Sequence, residues 1–87
     1  MRTMADLASK VAVITGAASE LGLALALRAS DRGMKVALAD VDESLLAGPL
    51  EQLKAKNVAA IAVRADMSDA EAVRQLARRT EVELGPP

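Results

Sequence analysis

Residues 10–24 read Lys10-Val11-Ala12-Val13-Ile14-Thr15-Gly16-Ala17-Ala18-Ser19-Glu20-Leu21-Gly22-Leu23-Ala24. The first five form a short, continuous apolar run bounded by Thr15-Gly16, which reads as a fully buried parallel strand. Residues 21–29, LGLALALRA, are apolar nearly all round and rich in Ala and Leu, which reads as a buried helix. That helix should stop at Asp31-Arg32-Gly33, where Gly33 can take the left-handed conformation. Between strand and helix lies a turn with glycine at each end. Such a turn suits a phosphate group, because backbone N–H groups face outward at a helix start and the helix dipole favours an anion there.

Reading outward, two further apolar runs follow at residues 35–40 (KVALAD) and 58–63 (VAAIAV). Asp42 is placed to cap the helix after the second run. In that helix Leu46, Pro49, Leu50 and Leu53 recur at helical spacing, and Gly48-Pro49 predicts a kink or a restart with Pro49 in a first turn. Lys56-Asn57 should close it. Ser68-Asp69-Ala70-Glu71 fits a capping box, with Ser68 at the cap and Glu71 three residues on. The helix it opens carries Val73, Leu76, Ala77, Thr80 and Leu84 on one stripe and ends at Gly85-Pro86-Pro87. Arg74, Arg78 and Arg79 read as a solvated face screened by Glu71, Glu81 and Glu83. The order β-α-β-α-β-α predicts an α/β fold with a three-stranded parallel sheet and right-handed crossovers, one part of a doubly wound domain spanning residues 1–87.

The turn resembles the TGxxxGxG motif of the short-chain dehydrogenase/reductase family. Thr15, Gly16 and Gly22 fit it, Ser19 and Leu21 lie within it, and Glu20 stands where the family has its middle glycine. Residues 7–14, LASKVAVI, are similar to the family's usual lead-in. The resemblance implies a Rossmann-type domain of an oxidoreductase, with Thr15, Gly16, Ser19, Glu20, Leu21 and Gly22 around a dinucleotide. Glu20 adds a side chain and a negative charge where a glycine lets the backbone approach a pyrophosphate. The plainer alternative is that Gly16 and Gly22 serve helix–strand packing alone.

Asp40 closes the second run 24 residues after Gly16. An acidic residue there accepts hydrogen bonds from the adenosine ribose and repels a 2′-phosphate. Val41 follows it, so no cation beside it along the chain offsets that repulsion, and NAD is expected over NADP. Alternatively, Asp40 or Asp42 caps the next helix, a role that suits Asp42 better. The resemblance further implies that Asp66 and Met67 contact adenine, the first by its carboxylate and the second by its backbone N–H. The alternative is that Asp66 begins the turn into the Ser68 cap.

Composition bounds the rest. The 87 residues carry 11 basic and 12 acidic side chains, net charge −1, and are 52% hydrophobic without Phe, Tyr or Trp. The even charge balance and the lack of stacking aromatics point away from nucleic acid. Without Cys or His there is no disulfide, thiolate metal site, thiol nucleophile or imidazole base. Residues 1–6 lack the apolar run of a signal peptide, and Met4 is an alternative start. The longest apolar stretch, residues 21–27, is too short to span a bilayer. A cytoplasmic location without a membrane partner is therefore expected.

The resemblance covers about the first third of a family member and stops before the NNAG turn, the catalytic Ser and the YxxxK pair. No Tyr occurs at any position, and Lys10, Lys35, Lys54 and Lys56 match no catalytic position. Binding without turnover is expected of this chain alone. Residues 10–14 would form an open apolar sheet edge prone to self-association. Two other readings stay open: an assembly module completed by another polypeptide, and a non-functional truncated product.

Overall fold

The computed structural model describes residues 10–85. The readings made of residues 1–6 (no leader, an alternative start at Met4), of residues 7–9 in the lead-in, and of Pro86 and Pro87 lie outside the described residues. Three strands form one parallel sheet: β1 (Val11–Thr15), β2 (Lys35–Asp40) and β3 (Ala60–Arg64), in the order β1-β2-β3. Helix α1 (Glu20–Asp31) joins β1 to β2, and α2 (Ala47–Ala55), led in by a 3-10 turn over Glu43–Leu46, joins β2 to β3. Helix α3 (Ala70–Leu84) follows β3. The expected α/β order and parallel sheet are both present.

Strand alternation divides the core between two faces. Val36 and Leu38 of β2, with Ala12, Ile14, Ala60 and Ala62 beside them, meet α1 through Ala26 and Ala29, the 3-10 turn through Leu46 and α2 through Leu53. On the other face Ala37, Ala39, Ile61 and Val63 meet Leu76 and Leu84 of α3. The central strand β2 is therefore buried on both faces, while β1 is not. Its Val13 is 39% exposed, because α3 reaches only as far as Val11. The reading of residues 10–14 as a fully buried strand is corrected, while the sheet edge expected there is present: among the described residues β1 lies at the edge with one face partly uncovered.

The expectation of a buried first helix also needs correction. In α1 the buried residues are Gly22, Ala26 and Ala29, a stripe of small residues that lets the helix lie close against the sheet. Leu21 and Leu25 point away and are 71% and 50% exposed. An all-round apolar composition hid which stripe faces inward. In α3 the buried positions are Leu76, Thr80 and Leu84, and Ala77, expected among them, is exposed. The Thr80 hydroxyl avoids an unpaired polar atom by donating to the Leu76 carbonyl at 2.7 Å.

Local signals account for most helix ends. Gly33 has φ +79° just past α1, and Asn57 has φ +61° just past α2. Asp42 caps the 3-10 turn by accepting from the Ser44 N–H, and Pro49 falls in the first turn of α2. The cap of α3 differs from expectation. Asp69, not Ser68, is the N-cap, its carboxylate accepting from the Glu71 N–H at 2.9 Å. Ser68 is drawn away because its N–H and hydroxyl both bind the Asp66 carboxylate. At the far end of α3, the Lys35 ammonium donates to the Leu84 carbonyl at 3.0 Å, a cation at the negative end of the helix dipole. Arg74 pairs with Glu71 and Arg79 with Glu83 on the exposed face, as expected of a solvated charge cluster. Among the described residues, no helix is long and apolar enough to cross a membrane.

Candidate functional site

The turn between β1 and α1 is built from its own hydrogen bonds. The Ser19 hydroxyl donates to the Gly16 carbonyl at 2.7 Å and accepts from the Gly22 N–H at 3.0 Å, which makes Ser19 the N-cap of α1. Gly16 has φ +63°, a conformation that suits glycine. Gly22 answers a different demand. A Cβ there would lie 2.4 Å from the Gly16 oxygen and 2.7 Å from the Ala17 Cα, so the first helical turn can sit this close only without a side chain.

Two long-range contacts fix the turn to the second strand. The Ala17 N–H donates to the Ala39 carbonyl, and the Ala18 N–H donates to the Asp40 carboxylate at 3.1 Å. The other carboxylate oxygen of Asp40 accepts from the Asp42 N–H at 3.2 Å. Asp42 takes the capping role, as expected, but Asp40 is not idle. It ties the end of β2 to the glycine turn, and each oxygen keeps a further lone pair.

The amides from Ala17 to Leu23 can now be accounted for. Ser19 donates to the Gly16 carbonyl and Leu23 to the Ser19 carbonyl, so Ala17, Ala18, Ser19, Gly22 and Leu23 are all engaged within the protein. The N–H groups of Glu20 and Leu21, the first two residues of α1, have no protein acceptor among the described residues. They are orphan donors at the positive end of a 12-residue helix.

Beside the turn is an open cleft of about 320 Å³ lined by Gly16, Asp40, Val41, Ala65, Asp66, Met67 and Ser68. It lies beyond the carboxyl ends of the three strands, where open α/β sheets present their ligand sites. Four residues singled out from the sequence therefore line one cavity: Gly16, Asp40, Asp66 and Met67. Thr15, Ser19, Glu20, Leu21 and Gly22 belong to the adjoining strand end and turn and do not line it. Ser19 and Gly22 build the turn, and Glu20 and Leu21 supply the open amides. Asp66 also performs the plainer role considered for it, since its Oδ1 accepts from both the Ser68 N–H and hydroxyl and so forms the turn ahead of α3.

Sequence reasoning missed two features. Val41, 55% exposed, joins Met67, 43% exposed, as apolar lining of the cleft. A lone apolar residue between two aspartates in a strand–helix loop was the available signal. Arg64 is the register partner of Asp40 across the sheet, a cation that inspection along the chain did not reveal. Among the described residues it forms no ion pair with Asp40, and it faces a neighbouring depression of about 390 Å³ together with Glu43 and Asp69.

Both cleft carboxyls are more acidic than usual. Asp40 is held below its ordinary value of 3.8 chiefly by the Ala18 N–H and then by that of Asp42; desolvation opposes them and the Val41 N–H adds a smaller lowering effect. Asp66 is lowered first by the Ser68 hydroxyl, then by the Ser68 N–H and the Arg64 charge, again against desolvation. A carboxyl whose pKa is lowered on folding contributes stability that is whole above the unfolded value and lost as pH falls through the folded one. Asp40→Asn should therefore be destabilising at neutral pH. Its deficit in urea denaturation should shrink between about pH 5 and pH 2. A deficit that stays constant over that range would contradict the tie between Asp40 and the turn.

Comparison with known proteins agrees with this architecture. A family model described as short chain dehydrogenase matches residues 10–86. The chain is 42% identical over 79 residues to 1-deoxy-11-beta-hydroxypentalenate dehydrogenase of Streptomyces exfoliatus, covering 91% of this chain and 29% of that protein. It is 42% identical over 64 residues to 2,5-dichloro-2,5-cyclohexadiene-1,4-diol dehydrogenase LinX of Sphingobium indicum, covering 74% of this chain and 26% of that protein. The solved structure of a short chain dehydrogenase/reductase from Burkholderia phymatum in complex with NAD superposes with a TM-score of 0.87 at 43% identity, covering 91% of this chain and 28% of that one. The chain thus spans less than a third of each of these three relatives. With the strand order, the glycine turn and the match to residues 10–86 in agreement, the chain belongs to the short-chain dehydrogenase family, as an N-terminal portion of it.

Proposed function

We propose that this chain is the nucleotide-binding portion of a cytoplasmic short-chain oxidoreductase and that its cleft takes the adenosine half of a dinucleotide, NAD in preference to NADP. One observation carries the reading: the Asp40 carboxylate is bonded to the Ala18 amide of the glycine turn and lines the same cleft as Gly16, Asp66 and Met67. A ribose in that cleft would meet a carboxylate with remaining acceptor capacity, and a 2′-phosphate would meet its charge. Adenine would be flanked by Val41 and Met67, with Asp66 as acceptor for its exocyclic amine. The open amides of Glu20 and Leu21 and the bare Gly22 suit a phosphate group at the helix start. When bound, a nicotinamide dinucleotide supplies hydride transfer. This chain offers no Tyr, His or Cys for the accompanying proton, so its contribution is binding and orientation.

The relative from Burkholderia phymatum was solved with NAD, which supports a dinucleotide as the ligand class. Calorimetric titration should detect NAD more readily than NADP. Asp40→Ala should weaken NAD roughly ten- to hundredfold, the worth of a hydrogen bond to a charged group, and narrow the gap to NADP. Equal binding of the two cofactors by the unaltered chain would contradict the preference.

Self-association through β1 is a second proposal, and the exposed Val13 supports it. The Lys35 N–H donates to the Lys10 carbonyl, so ladder alternation turns the peptide groups of Val11 and Val13 away from β2, toward the open edge. Sedimentation velocity should show concentration-dependent association that Val13→Lys abolishes without loss of helical circular dichroism. A monomer at all concentrations would contradict it.

A further inference from the structure

Most donors of the glycine turn are used by the protein itself, and besides the Gly16 N–H the open ones, at the helix start, belong to Glu20 and to its neighbour Leu21. Glu20 is the first residue of α1, is solvent-exposed, and is the acidic residue of that helix's first turn. A carboxylate is itself an anion favoured at a helix N-terminus. Any phosphate approaching these amides must therefore share the helix end with an acidic side chain that belongs to the chain itself. The adenosine side of the cleft, built from Gly16, Asp40, Val41, Asp66 and Met67, carries no such conflict with an uncharged nucleoside.

We propose that Glu20 acts as a built-in competing anion, so that this site selects for the adenine nucleoside and draws little or no affinity from the phosphates attached to it. The inference rests on the dinucleotide reading given above and sharpens its ligand class. The size of the effect follows from Coulomb's law. A unit charge about 10 Å away, at the effective dielectric of a protein boundary, changes binding of a second unit charge roughly tenfold. Glu20 can stand nearer than that to a phosphate at its own amide. Ionic strength gives a second signature, since salt screens repulsion and attraction alike over about 10 Å at 0.1 M. For the unaltered chain, added salt should leave NAD binding flat or strengthen it. A site whose open amides face no carboxylate should lose NAD affinity as salt rises.

The test titrates adenosine and NAD into the 87-residue chain and into its Glu20→Gln and Glu20→Gly variants, each at low and at moderate salt, following amide chemical shifts. Glu20→Gln keeps the side-chain volume and a good helix former at the position, so loss of folding is not a concern for it. The unaltered chain should bind adenosine and NAD within about threefold of each other, while both variants should bind NAD about tenfold more tightly with adenosine unchanged. The variants should also show NAD binding that weakens with salt. If the unaltered chain already prefers NAD to adenosine by about tenfold and Glu20→Gln changes nothing, the carboxylate stands clear of the phosphates. In that case this inference fails while the dinucleotide reading survives. If neither ligand binds any of the three chains, the dinucleotide reading itself fails and takes this inference with it.

Discussion

The start of α1 lies so close to the preceding turn that a Cβ on Gly22 would sit 2.4 Å from the Gly16 carbonyl oxygen, and the local geometry follows from that approach. With the helix held there, the Ser19 hydroxyl can donate to Gly16 and accept from Gly22 at once. The turn then brings the Ala17 and Ala18 amides against the end of β2, where the Ala39 carbonyl and the Asp40 carboxylate accept them. One missing side chain thus allows a short loop to be locked to a neighbouring strand. It also leaves the Glu20 and Leu21 amides as outward-facing donors.

Asp40 is the point where structure and binding meet. Its carboxyl is held below the ordinary value because backbone amides bind the charged form, and that charge is what a ribose hydroxyl would meet in the cleft. A group that holds the turn in place and also lines the proposed ligand cleft cannot be altered for one purpose alone. Glu20 is a second carboxylate, exposed in the first turn of α1 and outside the cleft lining. Within the cleft, Asp40 and Asp66 give a polarity that suits hydroxyl and amine donors better than anions.

Much of this was legible in the sequence because the signals are local. Short apolar runs closed by Gly16, Asp40 and Asp66 mark the three strand ends, and the spacing of Gly16 and Gly22 marks the tight turn. Gly33 and Asn57 fall where the helices stop, both with positive φ. What was not legible depends on distant packing. That α1 buries Gly22, Ala26 and Ala29 rather than Leu21 and Leu25 is decided by the sheet beneath it. The partial exposure of Val13 depends on how far α3 reaches across β1, although the strand's composition matches that of a buried one. Ser68 and Asp69 are equally good caps by type, and the choice between them turns on the Asp66 carboxylate, which captures Ser68 first. Arg64 comes beside Asp40 only through the register of β2 and β3.

The central claim is that one cleft, from the glycine turn to Met67, receives an adenine nucleotide. The most direct measurement is a backbone amide map of the chain by two-dimensional NMR with NAD added stepwise. The account predicts shifts concentrated at Gly16, Leu21, Val41, Met67 and Ser68, with the far ends of the strands, around Lys35 and Ala60, unmoved. Shifts centred instead on the outer face of α3, or none at saturating NAD, would contradict it.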